Sequence, residues 1–188
     1  MKVLAVLGSY RKGEGNTAAL LDILLGEMGA LGAECNSIWL PSLSIGGCRG
    51  CNWCQDREPA ESGRRCIIDD GMQELYDGIE QSEALIVATP IYMWHVTSQT
   101  KAFIDRLYTY SGGGLRGKRM AGVMTAGGDA FDGLDLAVQS LVRFADYNGI
   151  DYLGTLFCAP AASRKDLQTR DLPRLARELA NKIVTGRD

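Results

Sequence analysis

Four cysteines stand close together in this chain of 188 residues: Cys48, Cys51, Cys54 and Cys66. The first three follow Cys-x2-Cys-x2-Cys, and the stretch Gln55 to Arg65 separates them from the fourth. Thiolates are soft ligands, and this spacing is that of a bacterial iron–sulfur run, whose thiolates take corners of a cubane. Zinc sites usually pair two Cys-x-x-Cys units far apart, which this run does not do. Free or redox-active thiols are a third reading, and spacing alone leaves all three open. Cys35 and Cys158 fall inside strand-like runs and read as inert core residues. A single histidine, His95, rules out a metal site built from several imidazoles.

A second chemical signal is the loop Gly8-Ser9-Tyr10-Arg11-Lys12-Gly13-Glu14-Gly15-Asn16-Thr17. It joins an apolar run to a stretch with apolar residues at helical spacing, so it sits at a helix N-terminus, where free N–H groups and the dipole suit an anion. Hydroxyls (Ser9, Thr17), a carboxamide (Asn16) and cations (Arg11, Lys12) add further donors. The nucleotide-hydrolase loop is excluded, because Glu14 stands where its lysine must be. Gly13, Gly15 and Ala18 match the dinucleotide spacing, but the second strand ends Ile38-Trp39-Leu40 without the acid that would hold a ribose. A terminal phosphate monoester, with three oxygens to satisfy, fits this loop better.

Two other loops belong with it. Thr89-Pro90-Ile91-Tyr92-Met93-Trp94-His95 follows the third strand and is apolar where solvent would be expected. A flat ring system would rest there, or a partner subunit would cover it, and the two readings are compatible. Thr125-Ala126-Gly127-Gly128-Asp129 follows the fourth strand. Its glycines either form a tight turn or let the backbone approach a ligand closely.

The elements that must position these groups alternate strictly. The pattern predicts strands at about 2–7, 34–40, 84–89, 119–125 and 152–158. It predicts helices at about 17–31, 71–81, 98–108, 134–148 and 172–184, with Asp69 or Asp70 capping the second and Gly149 ending the fourth. Such alternation means an α/β fold: a doubly wound, five-stranded parallel sheet with helices on both faces. The order 2-1-3-4-5 is its natural form, with the switch point between strands one and three. The three loops then converge at the strand C-termini. The length fits one domain over 1–188, interrupted by a cysteine-containing insertion at about 41–70. A net charge of −3 gives no reason to expect nucleic acid as a partner, and no apolar run reaches membrane-spanning length. The short apolar N-terminus is no signal peptide, so a cytoplasmic protein is expected, where a structural disulfide framework is not.

The pattern Gly-Ser-x-Arg-x-x-Gly-x-Asn-Thr resembles the phosphate loop of the flavodoxin-fold NADPH-dependent FMN reductases, with one residue more between Arg11 and Asn16. Thr89-Pro90-Ile91-Tyr92, followed by Lys101, Phe103, Asp105 and Arg106, resembles the same family. The cysteine run and Cys66-Ile67-Ile68-Asp69-Asp70-Gly71-Met72 resemble the iron–sulfur flavoproteins, with a longer gap before the fourth cysteine. The resemblance implies FMN as cofactor, its phosphate held by Ser9, Arg11, Gly15, Asn16 and Thr17. It implies a ring lying along Pro90, Ile91, Tyr92, Met93 and Trp94, with Thr125, Ala126, Gly127 and Gly128 beside it. It implies that Lys101, Asp105 and Arg106 belong to the following helix and to a subunit contact in a homodimer or homotetramer. The expected activity is an oxidoreductase in which FMN carries the chemistry and no protein acid or base is required. Electrons enter from NAD(P)H and leave to a flavin, a quinone or another small-molecule electron acceptor. The alternative is an electron carrier with FMN and a 4Fe-4S cluster on Cys48, Cys51, Cys54 and Cys66, served by a ferredoxin.

Overall fold

The computed structural model describes residues 1–56, 63–129, 133–168 and 171–186. Its strands are β1 (Lys2–Leu7), β2 (Glu34–Trp39), β3 (Ala84–Tyr92), β4 (His95–Val96), β5 (Arg119–Thr125) and β6 (Asp151–Cys158). Its helices are α1 (Asn16–Ala30), α2 (Trp53–Asp56), α3 (Met72–Gln81), α4 (Ser98–Arg106), α5 (Leu134–Asn148), α6 (Arg164–Gln168) and α7 (Leu172–Thr185). Five strands lie parallel in the order β2-β1-β3-β5-β6, and β4 pairs antiparallel with the end of β3. Apart from that added strand, this is the expected doubly wound order.

The near-continuous apolar strands are explained by burial on both faces. Val3, Ala5 and Leu7 of β1 pack with Leu20, Leu24 and Met28 of α1 and with Leu179 and Ile183 of α7. Leu4 and Val6 pack in the opposite layer with α3, α4 and α5 through Leu75, Phe103 and Leu141. Period-two alternation thus feeds two cores, one per face. Among the described residues no helix is long and apolar enough to cross a membrane.

The third strand does not stop at Thr89. It runs to Tyr92, turns through Met93 and Trp94, and returns as β4, with Tyr92 opposite His95 and Ile91 opposite Val96. Pro90 still aligns with Thr125 of β5. It lies near the strand's end, where the missing N–H costs little.

Gly8 fixes where β1 delivers its loop. Its N–H donates to Ala88 O at 2.8 Å, and its carbonyl accepts from Thr97 Oγ1 at 2.8 Å. A methyl group built on Gly8 would overlap Thr100 Oγ1, whereas one on Gly13 would meet nothing. Gly8→Ala is expected to cost about 1–3 kcal/mol by overpacking. That corresponds to a drop of roughly 2–4 °C in unfolding midpoint per kcal/mol for a chain of this size. Gly13→Ala should leave the midpoint unchanged in the same thermal scan.

Candidate functional site

The loop after β1 brings together groups suited to an anion. Gly15 caps α1 with no side chain bonding the first turn, and that turn carries no acidic residue. A 15-residue helix therefore presents its positive end and its first N–H groups to whatever lies before it. Ser9 is buried and accepts from Arg11 N at 3.3 Å, so its hydroxyl proton stays available to an acceptor. Thr17 Oγ1 and Thr125 Oγ1 share a buried hydrogen bond of 2.7 Å, which joins this loop to the end of β5. Asn16 Nδ2 donates to Ala161 O at 2.7 Å, and Ala161 N donates to Ala126 O at 2.7 Å. One N–H of the carboxamide is thereby occupied in tying the loop to the chain after β6, and its second N–H and the Asn16 main-chain N–H are the donors this residue has for an anion.

The apolar wall lies across the same strand ends. Ile91, Met93, Trp94, Ala126, Gly127 and Gly128 line a cavity of about 240 Å³. Met93 and Trp94 hold φ of 46° and 64°, and they are 81% and 55% exposed. Positive φ at both central residues is the type I′ hairpin geometry, normally filled by Asn-Gly. Bulky side chains there carry strain of the kind found at ligand sites. Gly133, at φ 91°, packs directly against the Trp94 backbone, where a methyl group would overlap it.

The cysteine insert leaves the sheet after β2. Cys48 and Cys51 are exposed, Cys54 and Cys66 are half-buried, and all four are free thiols. Four thiols on one insert supply the donor set an iron–sulfur cluster needs. Among the described residues no three His, Cys, Asp or Glu side chains converge on a single metal ion. The insert is held against α4 and the turn after it. Gln55 Nε2 donates to Tyr108 O at 2.9 Å, and Thr109 Oγ1 donates to Arg65 O at 2.7 Å. Gln73 Nε2 donates to the carbonyls of Cys66 and Ile68 at 3.2 and 3.1 Å. Gly71, rather than Asp69 or Asp70, stands at the N-cap of α3, with no side chain capping it; Asp70 accepts from Met72 N at 3.1 Å, and its main partner is the Arg106 guanidinium at 2.8 Å. Arg106 thus points into the protein, with 1% of its side chain exposed, rather than to a subunit contact. Burial raises the Cys35 thiol above its ordinary range, in keeping with an inert half-buried position on β2.

Several members of this site were not singled out from the sequence. Trp39 Nε1 donates to Ser9 O at 2.7 Å, and the Lys12 ammonium lies 5.1 Å from the centre of the Trp39 ring. Arg164 Nη2 donates to Gly13 O at 2.7 Å across 151 residues. Thr97 caps α4, accepting from Thr100 N, while its hydroxyl serves Gly8. A hydroxyl directly after β4 and directly before a helix is the one local signal that pointed to it.

A parallel sheet with an anion cradle after β1 and apolar loops after β3 and β5 defines a flavodoxin-like flavoprotein fold. Residues 1–162 match the model of the NADPH-dependent FMN reductases, and the chain belongs to that family. It is 38% identical over 110 residues to an iron-sulfur flavoprotein of Archaeoglobus fulgidus, covering 58% of this chain and 47% of that one. It is 28% identical over 156 residues to the iron-sulfur flavoprotein of Methanosarcina thermophila, covering 82% and 78%. The chain therefore spans about half the length of the first relative and about three quarters of the second. Among solved structures it is similar in fold to RosB with bound 8-demethyl-8-formylriboflavin-5′-phosphate. That likeness has a TM-score of 0.79 and 16% identity, over 98% of this chain and 78% of that one.

The Asp70–Arg106 pair makes acid stability a test of the insert's attachment. Burial acts to raise the Asp70 carboxyl, but Arg106 and the Gly46 and Met72 amides outweigh it, so it lies below its ordinary range. A lowered folded value means that the stabilisation is complete above the unfolded value of about 4 and is lost as pH falls through the folded one. Asp70→Asn should destabilise the protein by about 3–5 kcal/mol at neutral pH, as expected when one partner of a buried pair is removed. The gap to wild type should narrow below about pH 4 in denaturant titrations. A gap that stays constant down to pH 3 would contradict this assignment.

Proposed function

We propose that this chain is an FMN-dependent oxidoreductase that takes electrons from NAD(P)H and passes them to a flavin, quinone or other small acceptor. The observation that carries this reading is the uncapped N-terminus of α1, which Thr17 ties to Thr125, the residue before the Ala126–Gly128 loop that lines the apolar cavity with Ile91, Met93 and Trp94. A phosphate cradle next to an apolar wall suits a ligand with a phosphate tail and a flat ring. Membership of the FMN reductase family supports the same cofactor, as does the flavin phosphate named in the RosB structure.

FMN, when bound, supplies the hydride and electron transfer. The chain's own groups would bind and orient it. The Ser9 hydroxyl, the N–H groups of Asn16 and Thr17 and the charge of Arg11 would hold the phosphate. The Thr17–Thr125 hydrogen bond keeps that cradle in register with β5. Ile91, Met93 and Trp94 would exclude water from one side of the ring. Gly127, where a Cβ would meet nothing within 4 Å, and Gly128, which also has no side chain, would let main-chain N–H groups come close. Such donors, with those of Tyr92–Trp94, are suited to negative charge on a reduced ring.

A second reading is favoured by the cysteine spacing and by the relatives named iron-sulfur flavoproteins. In it the insert carries a 4Fe-4S cluster on Cys48, Cys51, Cys54 and Cys66, and a ferredoxin is the electron partner. An anaerobic visible spectrum with iron and sulfide analysis, followed by NADH and NADPH oxidation assays, separates the two. A flavin spectrum without iron and with pyridine-nucleotide turnover supports the first, and iron and sulfide without turnover supports the second. Ser9→Ala should weaken FMN binding by about tenfold, the worth of one hydrogen bond to a charged group, and Thr17→Ala should weaken it by loosening the Thr17–Thr125 tie that holds the loop in register. Unchanged affinity in fluorescence titration would remove the cradle from the site.

A further inference from the structure

We propose that Arg106 is the positioning residue of the cysteine insert, closing its neck and thereby setting where the four thiols stand relative to α4 and the flavin-side loops. The insert departs at Gly46 and returns at Ile68–Asp70. One guanidinium binds all three places. Nη1 donates to Asp70 Oδ2 at 2.8 Å and to Gly46 O at 3.1 Å. Nη2 donates to Asp70 Oδ1 at 3.1 Å and to Ile68 O at 3.4 Å. Asp70 Oδ2 also accepts from Gly46 N at 2.9 Å, so carboxylate and guanidinium lock the two ends to each other as well as to α4. Only a planar fork with this many donors reaches a carboxylate bidentately and two carbonyls at once; an ammonium does not.

The location gives the clamp its reach. Arg106 ends α4, and Thr97 begins it by donating to Gly8 O of the phosphate loop. Nine helical residues, about 13–14 Å at 1.5 Å each, thus run from the cradle to the neck. Tyr76 OH donates to the Arg106 carbonyl at 3.1 Å from inside the core, fixing the helix end itself. Arg106 is separated from Asp70 by 36 residues, and its guanidinium lies buried. The proposal goes beyond the activity proposed above, because it holds whether the thiols carry a cluster or act as thiols.

The test is a timed alkylation of the full-length protein with iodoacetamide, resolved by cysteine through peptide mass spectrometry. Iron, sulfide and flavin are measured on the same samples. Arg106→Met should speed labelling of half-buried Cys54 and Cys66 by at least about tenfold, since access there is governed by local opening. Labelling of buried Cys158 of β6 should rise less than that of Cys54 and Cys66, and the flavin content should not change. Arg106→Lys should fall between, because it keeps the charge and loses the fork. If Arg106→Met fails to fold, Asp70→Asn carries the same expectation with the arginine in place. Labelling within about twofold of wild type in every folded variant would overturn the proposal. So would acceleration at Cys158 equal to that at Cys66, which would make Arg106 a support of the whole fold. Iron lost from Arg106→Met but present in wild type would support both the clamp and the cluster. Absence of iron in wild type would end the cluster reading and leave the labelling rates to decide on Arg106.

Discussion

The Thr97 hydroxyl bonded to the Gly8 carbonyl is the contact on which the other functional features depend. It is buried, and it joins the end of β1 to the start of α4 at the point where strand order reverses. No side chain fits at Gly8, so the helix sits as close as backbone allows. The position of α4 then dictates the rest. The hairpin that precedes it projects Met93 and Trp94 over the strand ends, and the arginine that ends it faces the neck of the insert. A shift of this helix would move the loop after β1, the apolar wall and the cysteines together.

Around that contact the two halves of the molecule are stabilised differently. The layer under α1 and α7 is an apolar core with ordinary aliphatic packing. The layer under α3 and α4 includes the Asp70–Arg106 ion pair and buried hydroxyls; Tyr76 and Tyr110 meet edge to face at 6.0 Å, and Tyr110 OH donates to Glu80 Oε1 at 3.3 Å. Burial raises both phenols above their ordinary range, so they stay protonated donors at any physiological pH. Buried polar groups of this kind add less stability than aliphatic packing but permit fewer arrangements. The cysteine insert is docked on this more exacting layer.

Much of the fold was legible because burial on both faces makes parallel strands read as apolar runs, and because helices fill the intervals between them. The loop at Gly8–Thr17 was legible through its local chemistry, and Gly149, at φ 67°, stands where a helix-ending glycine was expected. What escaped was non-local or carried no turn signal. Met93-Trp94 is not a hairpin dipeptide by composition, and Pro90 argues against extending a strand, so β4 was invisible. The partners of Arg106, Trp39 and Arg164 lie 36, 30 and 151 residues away. No periodicity within a window reports pairs of that kind. Asn16 was legible as a polar residue at the right place, but not as a tie to Ala161.

The Met93–Trp94 turn has a consequence for anyone who would improve this protein's robustness. Two left-handed, bulky and exposed residues at a hairpin tip are what a stability-guided redesign replaces first, and Asn-Gly would relieve a strain of about 1–3 kcal/mol per residue. The exchange would remove two of the side chains that wall the 240 Å³ cavity. Selection for thermal tolerance alone would therefore drive the sequence at this one turn toward a sturdier molecule with a less walled cavity.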